Sequence, residues 1–184
     1  TLGMMNRTQP LHIYAHADLE KLLRPMLDYH CQDLPYELLF HPINPRKREV
    51  IWEDRTVTVE SIPLKHKVPT CGFLFIEKHR GQEPRKRYAY CSDTVYREQI
   101  VEQIHGVDVL YHEATYTERD LDKCKKHTHS TAKQAANIAR LAEAGKLVIG
   151  HFSAREDDHN IFLDEAQQVF PNTVLAIERT TIDL

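Results

Sequence analysis

The sequence has no C-x-x-C pair. Its four cysteines, Cys31, Cys71, Cys91 and Cys124, stand far apart, which argues against both a disulfide framework and a thiolate zinc knuckle and fits a reducing cytoplasm. No apolar run approaches the roughly 18 residues that span a bilayer. The opening Thr1-Leu-Gly-Met-Met-Asn-Arg7 also lacks the charged-then-apolar order of a signal peptide, so a soluble protein with no membrane partner is expected. A dominant charge is missing too. With 24 Lys/Arg against 27 Asp/Glu the formal net charge is -3, so no global field draws in a polyanion and any nucleic-acid contact must be local. No repeat, low-complexity tract or Gly/Ser linker divides the chain, and 184 residues with 41% hydrophobic content suffice for one compact domain with a core. There is no initiator methionine, and the first residues read like the interior of a domain, so a fragment is expected.

What is present is a regular alternation of apolar runs. Leu19, Leu22, Leu23, Met26 and Leu27 recur at helical spacing after Asp18, a candidate N-cap, and predict an amphipathic surface helix over residues 18–30 despite Pro25. Alternation in Thr56-Val-Thr-Val-Glu60 and the β-rich run Cys71-Gly-Phe-Leu-Phe-Ile76 predict a hairpin around the loop at residues 65–70. From Arg87 onward the pattern becomes strand, polar tip, helix. Tyr88–Cys91 leads into Ser92-Asp93-Thr94, Asp108–Tyr111 into His112-Glu113-Ala114-Thr115, and Leu147–Gly150 into His151-Phe-Ser-Ala-Arg155. This is α/β order. Helices are predicted over 94–105, over 131–144 with a Thr131-x-x-Gln134 capping box, and over 163–170 before Pro171; a last strand is predicted at Val174–Ile177.

In α/β sheets ligands bind where the chain leaves the carboxyl ends of the strands. Asp93, His112 with Glu113, and His151 occupy such tips, and His66 lies in the hairpin loop. Imidazoles mixed with carboxylates suit zinc or manganese, and two such ions can activate a hydroxide and stabilise a leaving oxygen in phosphodiester cleavage. The plainer reading stands beside it. Twelve histidines guarantee ordinary surface or hydrogen-bonded examples, and His12, His16, His30, His41, His79, His105 and His159 are read that way. Asp93 can serve as a neighbour of a helix cap, Glu113 as a satisfied strand-end carboxylate, and Ser130 and Thr131 as caps. Spacing alone leaves both readings open.

Five stretches occur in one order: Leu64-Lys-His66-Lys-Val-Pro69-Thr-Cys-Gly-Phe73, Tyr90-Cys-Ser-Asp93-Thr94, His112-Glu-Ala-Thr115, His129-Ser-Thr131-Ala-Lys-Gln134-Ala and Gly150-His151-Phe-Ser-Ala-Arg155. As an ordered set they resemble the later motifs of the ribonuclease Z family, endonucleases of transfer-RNA 3′ processing, and Phe170-Pro-Asn-Thr173 resembles its closing segment. The resemblance implies a metallo-β-lactamase-like, four-layer αββα sandwich lacking its first strands. It implies that His66 and His151 ligate zinc and that Asp93 bridges two zincs per complete site, with manganese the other candidate. His129 would protonate the leaving ribose oxygen, and Glu113 would orient it and raise its pKa. Ser153 and Arg155 would hold the scissile phosphate, where the plainer role for Arg155 is a surface salt bridge. The implied substrate is precursor transfer RNA and the implied assembly a homodimer.

Two departures qualify the resemblance. The family's His-x-His-x-Asp-His motif, which supplies most of the metal ligands, is nowhere in this sequence, and Thr1–Arg7 resembles the segment that follows it. The family's long substrate-gripping arm is replaced by the short basic segment Lys78-His-Arg-Gly-Gln-Glu-Pro-Arg-Lys-Arg87, which as a solvated loop needs no substrate role. Two alternatives therefore accompany the nuclease reading: a hydrolase of the same fold acting on small substrates, and a metal-free structural or binding module.

Overall fold

A computed structural model describes residues 2–78 and 85–183, so much of the short basic segment, residues 79–84, lies outside the described residues. The chain divides into two compact units, Thr1–Asn44 and Pro45–Leu184.

The first unit is β-α-β. Strand β1 (Leu11–Ala15) pairs in parallel with β2 (Leu38–Pro42), and helix α1 (Asp18–His30) connects them. Leu19, Leu23 and Leu27 are half-buried, one per turn, whereas Leu22 and Met26 are exposed. The helix spans the predicted residues but its cap differs. Ala17 holds the N-cap position without a side-chain bond, and Asp18 is the first helical residue, where its carboxylate faces the positive end of the helix dipole.

The second unit is a seven-stranded sheet in sequence order: β3 (Val50–Glu53), β4 (Val57–Pro63), β5 (Cys71–Glu77), β6 (Arg87–Cys91), β7 (Val109–Glu113), β8 (Lys146–Gly150) and β9 (Thr173–Leu175). Strands β3 to β6 are antiparallel, and the predicted hairpin is β4–β5; from β6 to β9 the pairing is parallel. Parallel neighbours need crossovers, and two of these carry α3 (Ala132–Leu141) and α4 (Asn160–Gln167), which pack on β7 to β9. Alternation along the strands sends Ile62, Leu74, Ala89, Leu110, Leu147 and Ile149 into the core shared with Ala135, Ile138, Ala139 and Phe162. The opposite alternation places Phe73, Phe75, Tyr88, Tyr90 and Tyr111 together, with Tyr90 and Tyr111 stacked at 4.7 Å.

The α/β class and the strand-tip order match the sequence, but two helices shift. Residues 94–105 form only a short 3-10 turn at Glu98–Ile100, because the chain runs extended at Arg97, φ -146° and ψ 96°, which interrupts a helix begun at Thr94. Helix α4 starts earlier than predicted, where Asp158 accepts from the Asn160 amide. Thr131 forms the predicted capping box with Gln134. A further helix, α2 (Leu121–His127), is polar apart from Leu121 and buried Cys124 and carries no apolar period in the sequence.

Candidate functional site

The β6, β7 and β8 tips, the β4–β5 loop and the α2–α3 connection deliver His66, Asp93, Glu113, Thr115, His129 and His151 to one place. Asp93 follows β6 and His151 follows β8, and both adopt left-handed backbone, φ 56° and φ 61°. The turn lets the chain leave the sheet abruptly, in a conformation that Asp and His adopt more readily than most residues with a Cβ. Both imidazoles address one carboxylate oxygen: Asp93 Oδ1 lies 3.9 Å from His66 Nε2 and 3.5 Å from His151 Nε2. The His66 and His151 rings sit 4.9 and 5.3 Å from the His129 ring. Two overlapping groups have ligand atoms within 4.8 Å of one another, His66–Asp93–His129 and Glu113–His129–His151, and can hold a metal ion.

Beneath them Glu113 is fully buried, ending β7. Four donors surround its carboxylate. Oε1 accepts from the Thr94 amide at 2.5 Å, and Oε2 accepts from the Thr115 hydroxyl at 2.6 Å and the Ser130 amide at 3.1 Å. His129 Nδ1 lies 3.1 and 3.0 Å from the two oxygens. Burial pushes the carboxyl up, but the bonds from His129, Thr115 and Thr94 outweigh it and hold Glu113 below the ordinary range. The hydrogen bond to Glu113 raises His129, against the opposing effect of its burial.

Not every candidate joins this cluster. His112 alternates to the helix-facing side of β7, is fully buried, and bonds the Glu113 carbonyl through Nδ1 at 2.8 Å. Its strand-tip position suggested a ligand; the one-residue alternation of a strand removes it. Ser153 and Arg155 lie beside the cluster, lining a cavity of about 140 Å³ with Thr115, Tyr116, Arg119 and Lys123. Among the described residues Arg155 makes no ion pair, and its neighbour Glu156 pairs instead with Arg119 at 3.0 Å. Ser153 is pinned by its amide, which donates to the Thr115 carbonyl at 3.1 Å.

Sequence reasoning passed over Thr128. At φ 61° it ends α2 and stands immediately before His129, with its carbonyl and its hydroxyl oxygen each 2.9 Å from His66 Nδ1. Only its adjacency to His129 hinted at this.

The model of the beta-lactamase superfamily domain matches residues 1–152. Ribonuclease Z of Phocaeicola vulgatus is 41% identical over 227 aligned positions, which take in 100% of this chain and 74% of that protein. The chain belongs to the ribonuclease Z family. Ribonuclease Z of Bacteroides fragilis is 42% identical, again over 100% of this chain, and covers 75% of its own length. The crystal structure of human tRNase Z, short form, matches with a TM-score of 0.75 and 25% identity, covering 97% of this chain and 69% of that one. The fold is thus the metallo-β-lactamase fold expected from the motifs, and the family is one of hydrolases that cut RNA. Its bacterial members carry residues inside the matched span for which this chain has none, since 227 positions are aligned to 184 residues.

Proposed function

We propose that the chain is the catalytic-core part of a zinc-dependent endoribonuclease that removes 3′ trailers from precursor transfer RNA, acting as a homodimer in the cytoplasm. One observation carries this reading: a carboxylate facing two imidazoles, Asp93 with His66 and His151, lies directly against a separate buried acid–base pair, Glu113 with His129. The carboxylate and imidazoles of the first three suit zinc or manganese, the two groups whose ligand atoms converge within 4.8 Å each take in His129 as well, and the family's fold is one of metal users. When bound there, the metal supplies activation of water and neutralises charge on the phosphate. The remaining groups are the chain's own. His129 has Nδ1 tied to Glu113, which leaves Nε2 to meet a leaving ribose oxygen with a proton, and the bond to Glu113 keeps that proton available near neutral pH. Arg155 and Ser153 flank the cavity where a phosphate is held, and Arg suits bidentate contact.

The test is cleavage of a precursor transfer RNA by this chain with zinc supplied in excess. A single cut at the 3′ trailer is expected. His129→Ala should lower the rate by about 100-fold or more with zinc binding unchanged, whereas Asp93→Ala should lose both. If His129→Ala strips the metal, His129 is a ligand and the division of roles is wrong. The positions that relatives carry and this chain lacks favour a second reading, a hydrolase of smaller phosphodiesters. Turnover of such a compound with intact transfer RNA left uncut decides for it.

A further inference from the structure

Thr115 stands between the two halves of the site, and the number of hydrogens it has to give decides what it does. Its hydroxyl oxygen lies 2.6 Å from Glu113 Oε2 and 2.9 Å from His151 Nδ1. A hydroxyl carries one proton and two lone pairs. Glu113 already accepts two backbone amides, from Thr94 and Ser130, so it is an acceptor toward Thr115 as well, and the short contact marks a bond to a charged group. The threonine proton therefore goes to Glu113. Only a lone pair remains for His151, so Nδ1 of that ring must carry its own hydrogen. His66 reaches the same state by another route. The Thr128 hydroxyl donates to the His127 carbonyl at 2.6 Å, so both Thr128 oxygens within 2.9 Å of His66 Nδ1 are acceptors.

We propose that Thr115 is a positioning residue that locks His151 in its Nδ1–H tautomer and ties it to the Glu113–His129 pair, so that the bare Nε2 faces Asp93. The inference rests on reading His66 and His151 as metal ligands only for its consequence; the tautomer itself is a property of the metal-free chain. Thr115 is buried, so its proton is shielded from water and stays with Glu113, although the His151 ring is itself 40% exposed. The lock spares the ring a tautomer exchange each time a metal is taken up. It also makes one hydroxyl common to the metal side and the proton-transfer side of the site.

Long-range proton–nitrogen correlation spectra of histidine-labelled, metal-free protein at alkaline pH read the tautomers directly. Wild type should show Nδ1–H for both His151 and His66. Thr115→Val keeps the shape and removes the hydroxyl; it should move His151 toward the Nε2–H form that isolated histidine favours and leave His66, held by a backbone carbonyl, unchanged. Thr115→Ser should restore the wild-type pattern, and zinc affinity by chelator competition should fall about 10-fold or more in Thr115→Val but not in Thr115→Ser. Nε2–H at His151 in wild type overturns the proposal, as does a folded Thr115→Val with unchanged His151 signals. Should Thr115→Val not fold, the wild-type and Thr115→Ser spectra still decide. Failure to cut transfer RNA with these tautomers intact would sink the functional reading and leave this one standing.

Discussion

A carboxylate buried beneath three histidines is costly to hold ionised unless donors replace the water it has lost. Glu113 has those donors in two amides, a hydroxyl and an imidazole, and it ends up below the ordinary carboxylate range while His129 rises above the ordinary histidine range. Each shift implies its own pH dependence of stability. Glu113, being lowered, contributes stability above its unfolded value of about 4.3 that is lost as pH falls through its folded value. His129, being raised, contributes stability below its unfolded value of about 6.5 that is lost as pH rises through its folded value. Thermal denaturation of metal-free protein should therefore show a plateau between these limits and a fall on the alkaline side. Glu113→Gln should remove the alkaline fall, because the imidazolium then has no charged partner. An alkaline fall of equal size in the variant would show that His129 gains nothing from Glu113.

At the level of elements, the part of the site that was legible is the part carried by strand ends and caps. The Thr131–Gln134 box is a local pattern, and it forms: the Thr131 hydroxyl accepts from the Gln134 amide at 3.1 Å while the Gln134 side chain accepts from the Thr131 amide at 3.0 Å. Because α3 starts there, it fixes the Ser130 amide on Glu113 and the ring of His129 above it. Thr131→Ala should cost about 1–2 kcal/mol of stability and reduce the catalytic rate, since the segment before the helix loses its anchor; a Tm equal to wild type would show that the cap carries no weight here. The Thr128 carbonyl and the Thr94 amide were illegible because they are backbone groups, which any residue possesses. The helix predicted at residues 94–105 failed because the chain is extended at Arg97 while the Thr94 and Val95 amides bond Glu113 and Lys65, partners distant in sequence. His112 misled because its strand tip is shared with Glu113, and the pleat sends the two to opposite faces.

For the whole molecule, the near-balanced charge leaves the site without a long-range field, so metal uptake depends on the local donors alone. His66, Asp93 and His151 by themselves form an open shell, and a polypeptide of these 184 residues should retain zinc well below one equivalent after dialysis. Stoichiometric zinc, measured by elemental analysis, would point to further ligands among the remaining histidines. Sedimentation at micromolar concentration tests the proposed homodimer, a monomer counting against it. Asp93, Thr128 and His151 share a left-handed backbone, which Asp and His adopt more readily than most residues and the β-branched Thr128 does not. At Thr128 this costs about 1 kcal/mol or more that a glycine would not. Selection for heat resistance alone would thus press on such codons, Thr128 above all within the site, trading the hydrolase away for a sturdier but inert protein. Their persistence under such selection would measure how strongly function is guarded.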